Sequence, residues 1–317
     1  MSEFFTLSVL VATIASAVRL AVPYLLAALG ETVGQRSGVL NLGVDGVMLL
    51  SAFGAYYAVV ETGSHVIGII VGLAIGAFMG LVYGFVTVVL HAEQGISGIG
   101  IFLFGLGFSD LLFQEWVGTV KPIRSLPSLA DLPGVGGLFE ELEGIPHLGE
   151  LLFSHNVLTY VAFALVPIVT WMLANTTFGL NIKAVGENPQ AADSLGVSVE
   201  GTRFAAIMIG NTLAGLAGAT LSLQLGAFQH NLTNGLGFIA VALVYFGAWR
   251  AKWVLAGAML YGIVTATRLQ WQARDIIPNS ASDLAAMAPA IITILALVLL
   301  AKRVRGPDAL TRPFTRH

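Results

Sequence analysis

Cysteine is absent from the 317 residues, which excludes disulfides, thiol catalysis and cysteine-based metal sites. Charge is nearly as scarce, at 10% of residues, where a soluble domain carries about 25%. No Gly-Lys dipeptide occurs, so there is no P-loop to cradle nucleotide phosphates. His-Glu-x-x-His and Gly-x-Ser-x-Gly are missing as well, and the six histidines have no ligand spacing. The chain therefore has no catalytic constellation and no means of hydrolysing nucleotide by itself. It is not expected to be an enzyme, to bind a metal or cofactor, or to contact nucleic acid.

What is there is apolar. Hydrophobic residues make up 56% of the chain and the mean hydropathy is +0.84. No soluble fold of this size hides so much apolar surface, so the chain reads as a polytopic membrane protein. Helices satisfy their backbone polar groups within one segment. The expected fold is an all-α membrane helical bundle of about eight to ten transmembrane helices, forming one transmembrane unit over residues 1–317. Met1-Ser2-Glu3-Phe4-Phe5 lacks a basic n-region and a cleavage site, so the first apolar segment is expected to stay.

Taken in order, an apolar run over 7–29 holds Arg19 and Pro23 and is interrupted at Gly30–Gly38. A second run, 39–60, carries Asn41, Gly43 and Asp45 near its start, so a broken helix is expected near 30–48. Unwound glycine backbone beside polar side chains at a helix start is how carriers build contacts in mid-membrane. Glu31, Asn41, Gly43 and Asp45 are therefore candidates for the substrate path. The third run, 66–90, repeats Gly68, Gly72, Gly76, Gly80 and Gly84 every four residues, a flat stripe against which another helix can pack closely. The fourth is 96–116, with Asp110 near its end. Residues 117–155 form a long acidic connection. Apolar runs follow at 156–174, 204–225, 238–249, 253–268 and 284–301, the 204–225 run with a second small-residue row at Gly210, Ala214 and Gly218. The polar stretch 226–237 (GAFQHNLTNGLG) reads as a loop or a re-entrant turn, and its Phe228, Gln229 and Asn231 could stack on a base or hydrogen-bond a sugar.

Lysine and arginine set the orientation. The tail Lys302-Arg303-Val304-Arg305, with Arg312 and Arg316, should be cytoplasmic. Counting back one crossing at a time puts 175–203 in the cytoplasm and 117–155 outside.

The stretch Gly186-Glu187-Asn188-Pro189-Gln190-Ala191-Ala192-Asp193-Ser194-Leu195-Gly196 stands out in that cytoplasmic connection. Asn188 is an N-cap residue, Pro189 suits the first helical position, and Gly196 can take the left-handed position that ends a helix. Two turns are too few to be stable alone in water, so this short helix needs something to dock against.

Two stretches carry a resemblance. Residues 31–48 (ETVGQRSGVLNLGVDGVM) and the 186–196 loop look like the permease subunit of ABC importers, in the group that includes ribose and branched-chain amino-acid permeases. Gln190-Ala191-Ala192-x-x-x-Gly196 resembles the permease EAA loop, with Gln where Glu is usual. Residues Arg36 to Gly43 resemble most the nucleoside permeases that work with basic-membrane-lipoprotein-type binding proteins; simple-sugar permeases are similar. The resemblance implies a subunit that passes a nucleoside inward and holds no ATP-Mg of its own. It implies a separate ATPase gripping the 186–196 coupling helix through its Ala-Ala…Gly face, a second, paralogous permease in a heterodimer, and an extracytoplasmic binding lipoprotein. It also implies a plasma-membrane location among membrane lipids. A sugar permease and an ion-coupled secondary carrier are the competing readings.

Overall fold

The computed structural model describes residues 7–131, 148–273 and 305–315, with a few isolated positions in between. The apolar run at 284–301 lies almost wholly outside the described residues. Among the described residues every regular element is a helix, and six helices are long and apolar enough to cross a membrane. These are α1 (Leu7–Arg36), α2 (Val44–Thr62), α3 (His65–Gly84, continued by a π-helical turn Phe85–Val89), α4 (Gln94–Trp116), α6 (Val157–Asn175) and α9 (Val199–Leu225). Between and after them lie α5 (Leu148–Leu152), α7 (Thr177–Glu187), α8 (Pro189–Ser194), α10 (Leu236–Phe246) and α11 (Ala251–Ala273).

Local sequence explains most helix ends. Ser64, Asn156, Thr176 and Ser198 each accept a backbone N–H of the first turn of α3, α6, α7 and α9. Each such cap stabilises its helix by ~1 kcal/mol. Glu93 caps α4 by accepting the N–H groups of Gly95 and Ile96, which hold its carboxyl below the usual carboxylate range. Gly63 and Gly226 close α2 and α9 in the left-handed conformation.

The first helix corrects one sequence expectation. Gly30–Gly38 does not interrupt it; α1 runs unbroken to Arg36, and the break covers only 37–43. Gly30 serves packing instead, because a Cβ there would lie 2.6 Å from the Gly210 carbonyl oxygen of α9. Gly38 (φ +89°) is the residue that stops the helix. Its N–H reaches the Gln35 carbonyl and that of Val39 reaches Gly34, the pair of bonds of a Schellman motif. A second difference lies in 175–203. The sequence reads as a polar connection, but most of it is helical, as α7, α8 and the first turn of α9.

Helix α9 is the axis of the bundle and packs on α1, α2 and α3. Along α3, Gly68, Gly72, Gly76, Gly80 and Gly84 lie on the face turned toward α9 and α2. Their missing side chains leave room for Val59, Ala219, Asn211 and Gly215, Met208 and Phe204. Helix α4 lies on α2 through Gly98 and Gly105, while its other face is exposed. Helix α10, at eleven residues, is roughly 17 Å long, about half of a ~30 Å hydrocarbon core.

Gly76→Leu should therefore fail to fold, since a Cβ there would lie 2.5 Å from the Asn211 carbonyl oxygen. At Gly100, nothing lies within 4 Å of the same atom, so Gly100→Leu should be tolerated. Yield and size-exclusion profile of the two variants check this; equal yields would show that the α3 stripe is not in contact.

Candidate functional site

The break at 37–43 carries the chain back into the bundle rather than out of it. Asn41 is buried and donates to Asn211 Oδ1 (3.1 Å), twelve residues into α9 and roughly 18 Å along its axis. Its own Oδ1 accepts the Gly43 N–H at 2.8 Å. Gly43 has no room for a side chain, with Ile101 of α4 2.8 Å from where a Cβ would be. Two residues on, Asp45 is completely buried in the first turn of α2. Its carboxylate accepts the Gly237 N–H (2.7 Å) and the Thr233 hydroxyl (3.0 Å). Asp45 thus caps α10 from another helix. The 226–235 segment runs from the Ile123 backbone, which bonds Gly226, to this point inside the bundle, so it is a re-entrant loop.

A second polar line starts at Glu31, also buried. Gln35 Nε2 donates to its Oε2 (3.2 Å), and Gln35 Oε1 accepts Trp249 Nε1 (3.0 Å). Glu31 has no cationic partner among the described residues.

The Glu31 carboxyl also accepts the Asn41 backbone N–H, so the structure brings Glu31, Asn41, Gly43 and Asp45 into one seam where two helix starts and a re-entrant loop meet. It does not bring Phe228, Gln229 and Asn231 there. Phe228 is completely buried, with ring centroids of Phe53 and Phe113 each 5.4 Å away. Gln229 is exposed, and Asn231 is half-buried in a left-handed turn (φ 51°). Beside them His230 pairs with Asp110 at 2.9 Å and ties the loop to the end of α4. Sequence reasoning missed Asn211, Thr233, Gln35 and Trp249. The signal for Asn211 was an amide within an apolar helix, next to the small residues Gly210 and Ala214.

The other polar feature is the short helix α8, at the end of the bundle where α1 stops. Asn188 Oδ1 accepts the Ala191 N–H (3.0 Å), Pro189 is at the first helical position, and Gly196 is left-handed (φ +84°). Its outward residues are Glu187, Asn188, Gln190, Ala191, Ser194, Leu195 and Gly196, with Asp193 half-buried; Leu195 is 86% exposed. Gly186 has no space for a side chain because the Arg36 carbonyl lies against it. Ala192 does not face outward. It is 3% exposed and packs with Val185, Val199 and Phe314 of the tail.

That tail is itself folded against the loop. Ala309 N–H donates to Gly186 O (2.9 Å) and Thr311 N–H to Gly38 O (3.2 Å). Buried Arg203 donates to the carbonyls of Ser37 (3.2 Å) and Arg312 (3.0 Å). Residues 309–314 thus link the α1 break, α8 and α9. In the sequence they read only as a basic tail. Among the described residues no group of acidic or histidine side chains is placed to hold a metal ion.

A membrane bundle with a re-entrant loop, a half-length helix and an exposed two-turn helix at one end has the architecture of a transport subunit. The sequence profile of the branched-chain amino acid transport system permease component family matches residues 13–300, and the chain belongs to that family of ABC permeases. A protein provisionally named as the glucose ABC transporter permease TsgC13, from Haloferax volcanii, is 37% identical over 279 residues, covering 88% of this chain and 83% of that protein. The guanosine ABC transporter permease NupQ of Bacillus subtilis is 29% identical over 307 residues, covering 93% and 94%. The nucleoside ABC transporter permease NupC of Lactococcus lactis is 29% identical over 297 residues, covering 90% and 91%. No solved structure matches the chain.

Asp45→Ala would leave the Gly237 N–H and the Thr233 hydroxyl unpaired in the interior. With hydrogen bonds to charged groups worth about 1.5–3 kcal/mol each, the loss should reach ~3 kcal/mol. Thermal unfolding of the purified protein should show a clearly lower midpoint for Asp45→Ala. An unchanged midpoint would mean that α10 does not depend on this cap.

Proposed function

We propose that this permease is the membrane subunit of an importer for nucleosides, moved by a separate ATPase that grips α8. The observation that carries the ATPase part is Leu195, a large apolar side chain left 86% exposed on a helix too short to stand alone. The outward face, Gln190, Ala191, Ser194 and Leu195, is the surface a partner meets; Ala192 braces the helix from behind. ATP and magnesium belong to that partner. α8 is joined through Gly186 to the break in α1, and the break leads straight to Asn41 and Asp45. A push on α8 therefore reaches the buried polar seam through backbone contacts. The seam, with Glu31, Asn41, Gly43 and Asp45, is the part of the substrate path this chain supplies. Gln229 and Asn231 face solute at its outer approach, and Phe228 supports them from within the aromatic cluster.

Two relatives covering nearly the whole chain are named for guanosine and nucleoside transport, which supports the substrate proposed. The glucose-named relative favours a second reading, a hexose permease. Both solutes present a hydroxylated ring. In this reading a paralogous permease completes the path, a binding lipoprotein delivers the solute outside, and α8 with the tail lies in the cytoplasm.

The test is uptake of labelled guanosine and of labelled glucose by cells expressing this chain with the neighbouring ATPase, permease and binding protein. Guanosine uptake that unlabelled glucose does not reduce is expected; the reverse pattern selects the hexose reading. Leu195→Asp should leave the protein folded but reduce ATPase co-purification and uptake at least tenfold. Ala192→Glu should instead lower the yield of folded protein, because it places a charge against Phe314. Full uptake by Leu195→Asp would remove α8 from the coupling role.

A further inference from the structure

Four of the cationic side chains converge on one pocket that the transport reading does not use. It lies at the α8 end of the bundle, between the last turn of α6, α7, the end of α1 and the α10–α11 junction. Its volume is about 280 Å³, and Arg36, Lys183, Arg250, Lys252, Trp249 and Thr170 line it. Among the described residues no acidic side chain lines it. The carboxylate of Glu187 lies close enough to act on Arg36, but so does the like charge of Arg250.

Apart from the influence of Glu187 on Arg36, the positive charge there is uncompensated among the described residues. Among the described residues none of the four cations is in an ion pair. Arg36 donates Nε to the Trp249 carbonyl at 3.1 Å, and among the described residues its terminal nitrogens have no acceptor. Among the described residues Lys183, Arg250 and Lys252 have no side-chain hydrogen-bond partner; the Lys252 ammonium sits 5.9 Å from the Trp253 ring centroid. Four like charges around one small cavity repel one another unless an anion joins them.

The surroundings point to the source of that anion. Trp171, next to Thr170, is 60% exposed, and Trp253, next to Lys252, is 52% exposed. Leu180 on α7 and Ile168 on α6 are exposed too. Tryptophan at the end of a spanning helix marks the level of lipid headgroups, and basic pockets between membrane helices at that level suit lipid phosphates. A soluble anion would gain nothing from these apolar side chains; an acyl chain would cover them.

We propose that this pocket binds the phosphate headgroup of an anionic phospholipid, with Arg36, Lys183, Arg250 and Lys252 as its ligands. The bound lipid ties α7, which leads directly into α8, to α1 and α11. Anionic lipid content would then set how firmly α8 is held.

The full-length chain, purified in detergent, is titrated separately with dioctanoyl-phosphatidylglycerol, dioctanoyl-phosphatidylcholine and inorganic phosphate. Native mass spectrometry counts bound lipid and thermal shift gives apparent affinity. The expected result is saturable binding of about one phosphatidylglycerol per chain and none of phosphatidylcholine. Binding should weaken at least tenfold in Lys183→Gln/Arg250→Gln/Lys252→Gln and persist in Lys183→Arg/Arg250→Lys/Lys252→Arg. Should the triple glutamine variant be poorly folded, Lys252→Gln alone, at an exposed position, should still weaken binding several-fold. Undiminished binding by the glutamine variants would overturn the proposal. So would phosphate displacing the lipid at equal concentration, which marks a soluble-anion site. Loss of ATPase co-purification with lipid binding unchanged would make the face a protein contact and likewise overturn it.

Discussion

Close approach of backbones along α9 is the contact on which the rest of the bundle depends. Lipid tails are as apolar as leucine, so helices in a membrane gain little from hiding apolar side chains from one another. They are held by van der Waals contact and by hydrogen bonds, and both require short distances. Gly76 against Gly215, Gly30 against Gly210 and Gly218 against the Met48 carbonyl bring α3, α1 and α2 onto α9 with almost nothing between the main chains. Side chains at any of these points would hold the helices apart and spoil the neighbouring contacts as well.

That closeness is what lets the buried polar groups find each other. Asn41 and Asn211 meet because α9 lies against the break in the first two helices. Asp45 reaches Gly237 because that glycine admits the Asp45 backbone where any side chain would collide. An unpaired carboxylate or amide at this depth would cost several kcal/mol, so the seam is set as firmly as the glycine faces that surround it. It also lies where two helices begin, a place where backbone N–H groups lack intrahelical acceptors and must find other partners.

What could be read from the residues was what depends on near neighbours. The membrane class followed from composition. Asn188, Pro189 and Gly196 specify a two-turn helix through bonds within eight residues, and that helix is present. The polar start of α2 stood out because asparagine and aspartate are rare in apolar runs. The rest depends on contacts distant in sequence. Gly30 and Gly34 look like helix breakers until a second backbone is seen against Gly30. Glu31 has a polar partner one turn on in Gln35, but Trp249, which completes that line, is 214 residues from Gln35. Helix α7 was missed because its residues are mixed polar and apolar; its caps, Thr176 and Asn188, resemble loop chemistry. The tail gave no signal at all, since its main contacts are made by backbone atoms that every sequence carries.

The tail contact has a consequence for the order in which the molecule matures. Residues 309–314 follow every described helix in the chain, so α8 is made more than a hundred residues before its backing. During synthesis the short helix lacks the Phe314 side of its packing behind Ala192 while α9, α10 and α11 are still being inserted. A nascent or truncated subunit that stops short of Ala309 exposes the outward face of α8 without the Ala309–Gly186 bond that fixes its setting. The final setting of α8 is thereby deferred until those helices are in place.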